Sequence, residues 1–340
     1  MACLWSRTAN RVLLEIDRFP CRTREDLYRH VFAIPWTDHF SLQRTFAVRC
    51  TLHGSAMSHS KYAALVVKDA IADYFRRKTG KRPSVNVDLP DVLLNVNIRK
   101  DIASMAIDFS GLSLHQRGYR GVAVPAPIKE NVAAAILLRA KWPSIARDGG
   151  AFVDPMCGSG TFAIEAAMMA TGTASGLFRH HYGFLGWKLH DPKLWKNLLN
   201  DAKSISREGR EHCPPIASFD SDGAAVDAAR SNIESAGFRD QMSISKKSLS
   251  ALHNPFAGSV STGLVAVNPP YGERIAGDEE LAELYRTLGA RLKEHYKGWA
   301  AAVLTSQEQL AWEIGLRAHQ KHAFMNGPIT CNLYHFHVYG

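Results

Sequence analysis

Apolar and polar positions follow two different patterns along this chain. Thr45 to Leu52 alternates as TFAVRCTL and predicts a strand. Ser60 to Lys78 carries apolar residues at helical spacing and predicts a long amphipathic helix, ending in Arg76-Arg77-Lys78 and stopped by Gly80. Val92 to Ile98 and Ala103 to Phe109 predict two paired strands that turn at Arg99-Lys100-Asp101. This first stretch reads as α+β. Pro125 and Pro127 interrupt the chain after Gln116-Arg117-Gly118-Tyr119-Arg120, which sets a boundary between residues 1–120 and 121–340.

From Glu130 onward, short apolar strands alternate with helices, the signature of an open and largely parallel α/β sheet. Strands are predicted at Ala151 to Asp154, Ile216 to Asp220, Met242 to Lys246, Leu264 to Asn268 and Ala300 to Thr305, with a final pair that includes Leu333 to Tyr339. Helices are predicted near 130–141, 160–170, 223–236, 279–295 and 307–317. Residues 171–213 are too long for an ordinary connection and rich in Phe, Trp, His and Lys, so they read as an insertion with its own role.

Composition narrows the class. A chain of 340 residues, 46% hydrophobic, can bury a substantial core. Its longest apolar run, Val132 to Leu138, ends at Arg139 and falls far short of the ~20 residues a membrane helix requires. Arg7 and Arg11 interrupt what would be a signal region, so a cytoplasmic protein is expected. The six cysteines form no Cys-x-x-Cys pair, and His180-His181 and His190-Asp191 lack paired ligands; no metal is expected. Charge is uneven: residues 1–120 hold 19 Lys and Arg against 11 Asp and Glu, a balance of +8, whereas residues 121–340 hold 22 against 21. A concentrated basic field suits a phosphate backbone, although a merely soluble basic surface is the plainer explanation.

Two motifs carry chemistry. Asp154-Pro155-Met156-Cys157-Gly158-Ser159-Gly160-Thr161 follows an apolar strand and leads into a helix, so backbone and helix N-terminus can approach a ligand closely. No lysine follows the glycines, which excludes a triphosphate-binding loop. Asp154 suits a ligand's amino group. Asp220, at the end of the next predicted strand, suits ribose hydroxyls, or else serves as a turn or helix cap. Cys157 reads as a small packing residue.

The second motif is Asn268-Pro269-Pro270-Tyr271, directly after a buried strand. The prolines stiffen the corner and leave carbonyls free; the Asn268 side chain and the Pro269 carbonyl can together accept both hydrogens of an aromatic amine. Tyr271 offers a ring for a flipped base, or is simply a surface tyrosine on a stiff turn.

These motifs resemble class I methyltransferases acting on exocyclic amines of nucleic-acid bases. With Leu114 to Arg120, Ala126 to Glu130, Phe184-Leu185-Gly186-Trp187, Asn268 to Arg274 and Asn326-Gly327-Pro328, the chain resembles the bacterial 23S rRNA guanine-N2 methyltransferases that carry an RNA-binding THUMP domain. The resemblance covers nearly the whole chain. It implies an N-terminally short THUMP-like domain over residues 1–120. It also implies a Rossmann-like methyltransferase domain with a reversed last strand over 121–340, S-adenosylmethionine as cofactor, and methyl transfer to a guanine N2 in 23S rRNA or a ribosome assembly intermediate.

Cofactor contacts are expected from Lys129, Glu130, Asp154, Pro155, Gly158, Ser159, Gly160, Thr161 and Asp220; Glu130 reads equally as a helix-start residue. The target amine and base fall to Asn268, Pro269, Pro270 and Tyr271. RNA contacts are expected from Arg76, Arg77, Lys78, Arg117 and Arg120, and from the insertion's Arg179, His180, His181, Trp187 and Lys188, with Trp187 equally suited to closing a core. Ser248 departs from the family, standing where an acidic residue often meets the adenine amine. Some members continue into a second methyltransferase domain, whereas this sequence ends at Gly340. A tRNA guanine or adenine-N6 methyltransferase, and a non-catalytic RNA-binding assembly factor, are the competing readings.

Overall fold

The computed structural model describes residues 1–121, 128–270 and 278–339, so Pro125, Ala126, Pro127 and Tyr271 to Arg274 lie outside the described residues. The chain divides into two compact units. The first comprises residues 1–3, 9–114 and 179–198; the second comprises 4–8, 115–178 and 199–340. Two helices, α1 (Ala2–Trp5) and α8 (Pro192–Arg210), thus each contribute residues to both units.

In the first unit, β1 (Leu13–Pro20), β2 (Phe46–His53), β3 (Val92–Arg99) and β4 (Ile102–Asp108) form a sheet in the order β1-β4-β3-β2. Only the β2–β3 pair is parallel, because α4 (Ser60–Thr79) crosses between them; β3 and β4 form a hairpin. The predicted turn is tight, with Lys100 and Asp101 both at positive φ, as a two-residue hairpin loop demands. Val67, Ile71 and Phe75 of α4, with Leu27 and Val31 of α2 (Arg24–Ala33), cover Leu94, Val96 and Met105 of the sheet. The short α3 (Trp36–His39) adds the buried Trp36.

Residues 179–198 are part of this first core rather than of the second unit. Phe184 and Trp187 meet Phe109 with ring centroids 6.3 and 5.1 Å apart. A Cβ on Gly183 would fall 2.1 Å from the Asp108 carbonyl oxygen, so a side chain there would push the segment off the strand end. Trp187 therefore takes its core-closing role.

The second unit holds seven strands in the order β10-β11-β9-β8-β5-β6-β7: β5 (Ala151–Asp154), β6 (Ile216–Asp220), β7 (Met242–Lys246), β8 (Gly263–Val267), β9 (Ala300–Thr305), β10 (Ala318–Asn326) and β11 (Ile329–His337). β5 to β9 pair in parallel, while β11 runs antiparallel between β9 and β10. This is the expected Rossmann-like sheet with a reversed strand.

Both faces are apolar, as buried parallel strands require. Leu264 and Ala266 face one core with Ile136, Leu137, Phe162 and Met168; Val265 and Val267 face the other with Tyr285, Leu288 and Leu292. The first face is covered by α5 (Glu130–Arg139), α6 (Trp142–Arg147), α7 (Thr161–Ala170) and α9 (Gly223–Ser235), the second by α10 (Asp278–His295) and α11 (Glu308–Glu313). Among the described residues, no helix is long and apolar enough to cross a membrane.

Candidate cofactor and methyl-acceptor site

Strand order reverses between β5 and β8: β6 and β7 continue to one side of β5, and β8 and β9 to the other. Ligands bind open α/β sheets at the carboxyl ends of strands flanking such a switch point. Asp154 ends β5 and Asn268 follows β8, and the register Val153 opposite Val265 puts both at the same edge of the sheet.

The glycine loop is held from below and from the side. Its Cys157 N–H donates to the Phe219 carbonyl at 2.9 Å, and Gly158 N–H to Asp220 Oδ2 at 2.9 Å. Gly160 has φ +78°, and a Cβ there would meet Ala229 at 3.2 Å, so only glycine lets the loop turn into α7 this close to α9. The helix cap is Asp222, which accepts from Ala224 N–H at 2.9 Å; this leaves Asp220 to the loop.

A cavity of about 360 Å³ opens beside the loop, lined by Pro155, Met156, Asp220, Ser221, Ser248 and Leu249, with Glu280 and Glu283 of α10 also on its wall. It brings Asp220, at the end of β6, and Ser248, just after β7, onto one wall. Ser248 Oγ pairs with Ser250 Oγ at 3.0 Å.

Deeper in, Asp154 is 1% exposed and accepts from Met156 N–H at 3.3 Å through one oxygen; its other oxygen, Oδ2, has no partner among the described residues. Burial, with Asp220 adding to it, pushes its carboxyl well above the usual carboxylate range. Asn268 Oδ1 is likewise buried and without a partner among the described residues. Buried polar atoms left unpaired cost about 1–3 kcal/mol each, and these two stand on adjacent strand ends at the switch point. Pro269 is buried and Pro270 half-buried; Tyr271 lies outside the described residues. Cys157 is buried, and burial pushes its thiol far up, which suits a packing residue and no nucleophile.

Two of the arginines expected on RNA are turned inward. Arg117 is 1% exposed, and its Nε meets Glu165 Oε1 of α7 at 3.1 Å. Arg120 is engaged with Glu130 at 3.1 Å and with Thr161 at 2.9 Å. Among the described residues, each guanidinium pairs with a buried carboxylate; the Arg117 side chain is itself buried, and 19% of the Arg120 side chain is exposed. Glu130 opens α5 and pairs with Arg120; Lys129 is exposed just before it. Arg179 donates to the carbonyls of Ser110, Leu112 and Ser113, again a structural use. Arg76, Arg77 and Lys78 are exposed at the end of α4.

The pattern reading overlooked Asn232. Its Nδ2 donates to the Ser159 carbonyl at 3.1 Å and its Oδ1 accepts from Gly121 N–H at 3.1 Å. A polar residue on the buried stripe Val226, Ala229, Ile233 is the signal that marks it. Among the described residues, no group of three or more His, Cys, Asp or Glu is arranged to hold a metal.

Two family models match parts of this chain. Residues 21–108 match the THUMP domain, and residues 117–335 match the RMKL-like methyltransferase domain. A ribosomal RNA large subunit methyltransferase K/L from Methylococcus capsulatus is 46% identical over 336 residues, which is 99% of this chain and 45% of the relative. The chain thus spans less than half the length of that protein. The crystal structure of SMU.472 complexed with SAH is similar at 32% identity and a TM-score of 0.83, covering 99% of this chain and 86% of that one. A structure from Listeria monocytogenes, described as a predicted N6-adenine-specific DNA methylase, is 30% identical with a TM-score of 0.85 and covers 98% and 84%.

Proposed function

Because the chain belongs to the family of RMKL-like methyltransferase domains and carries a THUMP domain ahead of it, we propose that it methylates the exocyclic N2 amine of a guanine in 23S rRNA, using S-adenosylmethionine. The pair of buried polar atoms at the switch point that have no partner among the described residues, Asp154 Oδ2 and Asn268 Oδ1, carries this reading. The relative's name supports rRNA as substrate, and the SAH bound to SMU.472 supports the cofactor.

S-adenosylmethionine supplies an electrophilic sulfonium methyl. Asp154 would accept from the ammonium of its methionine part, the backbone from Gly158 to Thr161 would hold that part, and Asp220 would accept from the ribose hydroxyls. Asn268 and the Pro269 carbonyl would accept the two hydrogens of the target amine, orienting its lone pair for in-line attack; the N–C bond forms as the S–C bond breaks, the sulfur leaves as a neutral thioether, and the acidic methylated amine then gives up a proton to solvent. Prolines fix the corner, so little reorganisation is needed as the bond forms. The base must leave its helix to reach this corner.

RNA docking falls to the first unit, which retains the basic excess: residues 1–3, 9–114 and 179–198 hold 20 Lys and Arg against 12 Asp and Glu, a balance of +8. Arg76, Arg77 and Lys78 are its exposed cluster at one helix end.

The test is transfer of labelled methyl to unmodified ribosomal RNA by wild type and Asn268→Ala, with digestion to nucleosides. Label in N2-methylguanosine, lost in the variant, supports the proposal. Label in N6-methyladenosine would favour the chemistry described for the Listeria relative. Cofactor binding without transfer to any RNA would favour a non-catalytic RNA-binding factor.

A further inference from the structure

The residues that lead into the methyltransferase unit grip the glycine loop. Arg120 Nε meets Glu130 Oε1 at 3.1 Å, Nη2 donates to the Ile128 carbonyl at 3.1 Å and to Thr161 Oγ1 at 2.9 Å, and Nη1 reaches Ser159 Oγ at 3.5 Å. One planar cation thereby joins the stretch before α5, the first residue of α5, the end of the loop and the first residue of α7. The next residue, Gly121, donates to Asn232, which in turn holds the Ser159 carbonyl. Two consecutive residues therefore hold the same three-residue loop end, one through side chains and one through backbone.

The rest of α7 is anchored separately. Arg117 pairs with Glu165 in its middle and also donates to the Arg7 carbonyl, while Arg7 donates to the carbonyls of Met168 and Thr173 at 3.0 and 2.8 Å near its C-terminal end. Arg120 is the arginine of this set that acts on the loop itself. Its side chain is 19% exposed and its donors point to protein acceptors, a poor arrangement for reaching RNA.

We propose that Arg120 is a positioning residue for the cofactor, holding Ser159-Gly160-Thr161 in register with the start of α5 while touching neither cofactor nor RNA. This rests on the reading that the loop binds S-adenosylmethionine. A lysine would keep the charge opposite Glu130 but could not span the four acceptors, because an ammonium lacks the guanidinium's planar fork.

The experiment compares wild type with Arg120→Ala, Arg120→Lys and the double variant Arg120→Ala/Glu130→Gln. Titration calorimetry measures S-adenosylmethionine binding, filter binding measures affinity for unmodified ribosomal RNA, and steady-state kinetics separates KM from kcat. Arg120→Ala is expected to weaken cofactor binding by about tenfold or more, the scale of losing charge-assisted hydrogen bonds. KM for the cofactor should rise more than kcat falls, and RNA affinity should stay within about twofold, as additive measurement scatter allows. The double variant, which removes the unpaired carboxylate, should regain thermal stability but not cofactor affinity. Arg120→Lys keeps the ion pair and folds, and should still bind the cofactor more weakly than wild type.

Loss of RNA affinity with cofactor binding intact would make Arg120 an RNA contact and overturn the proposal. Restored cofactor affinity in the double variant, or wild-type cofactor binding by Arg120→Lys, would reduce Arg120 to a counter-charge and overturn it as well. A wild-type protein that binds no S-adenosylmethionine would overturn the cofactor reading itself, a separate result from wild type and variants binding equally.

Discussion

Asp220 Oδ2 accepts the backbone N–H of Gly158 at 2.9 Å, joining the end of one strand to the loop of another across 62 residues of sequence. Asp220 also lines the cavity beside the loop, so one side chain both holds the loop and stands on the wall of that cavity. Asp220→Ala should weaken S-adenosylmethionine binding by about 10- to 100-fold, the range for lost hydrogen bonds to a charged group. Calorimetric titration checks it; a change under about twofold would show that the loop holds its shape unaided.

Asn268 follows β8, on the opposite side of β5 from Asp220 at the end of β6. Asn268→Ala should lower kcat by about 100-fold or more while leaving the cofactor Kd within a few-fold, since the lost contact is to the amine. Single-turnover transfer with saturating cofactor measures the first quantity and direct titration the second. Equal losses in both would assign Asn268 to the fold.

Asp154 predicts two pH dependences of opposite sign. Burial raises its carboxyl in the folded, ligand-free protein, so the folded state holds a proton that the unfolded chain gives up in the ordinary carboxylate range. Its contribution to stability is therefore fully present at low pH and lost as pH rises through the raised value. Relative to Asp154→Asn, ligand-free wild type should lose Tm progressively from the ordinary carboxylate range upward. Cofactor binding runs the other way, because the ammonium pairs with the ionised form: affinity should tighten as pH rises, and Asp154→Asn should flatten the profile. Parallel profiles for the two proteins would remove Asp154 from both roles.

The Arg117–Glu165 pair is buried on both sides, at 1% and 0% side-chain exposure. Glu165→Ala leaves a buried guanidinium without its counter-charge and should destabilise the protein by about 3–5 kcal/mol. Denaturant unfolding measures this, and a loss below about 1 kcal/mol would mean that the cavity rehydrates and resolvates Arg117.

Much of the architecture follows from local pattern. Alternation in Thr45 to Leu52, the apolar run of Leu264 to Val267, helical spacing in Ser60 to Thr79 and the glycine loop between a strand and α7 are short-range signals, and the observed elements lie within a few residues of those expected. The Asn268 corner is legible for the same reason, since proline stiffness and a buried strand before it are properties of neighbouring residues.

What the sequence determined by itself is thus the kind of each element and the chemical character of its motifs, because backbone preference and side-chain periodicity act over a few residues. Partnership was decided by tertiary structure. Arg117 and Arg120 carry the same charge in sequence as Arg76 and Arg77, yet the first two meet carboxylates 48 and 10 residues away inside the fold, and the others remain exposed. Residues 179–198 likewise joined the first unit because Gly183 permits close approach to the Asp108 carbonyl and Trp187 reaches Phe109. A charge's role depends on whether its nearest neighbour is water or a buried counter-charge, and that is a property of three-dimensional packing.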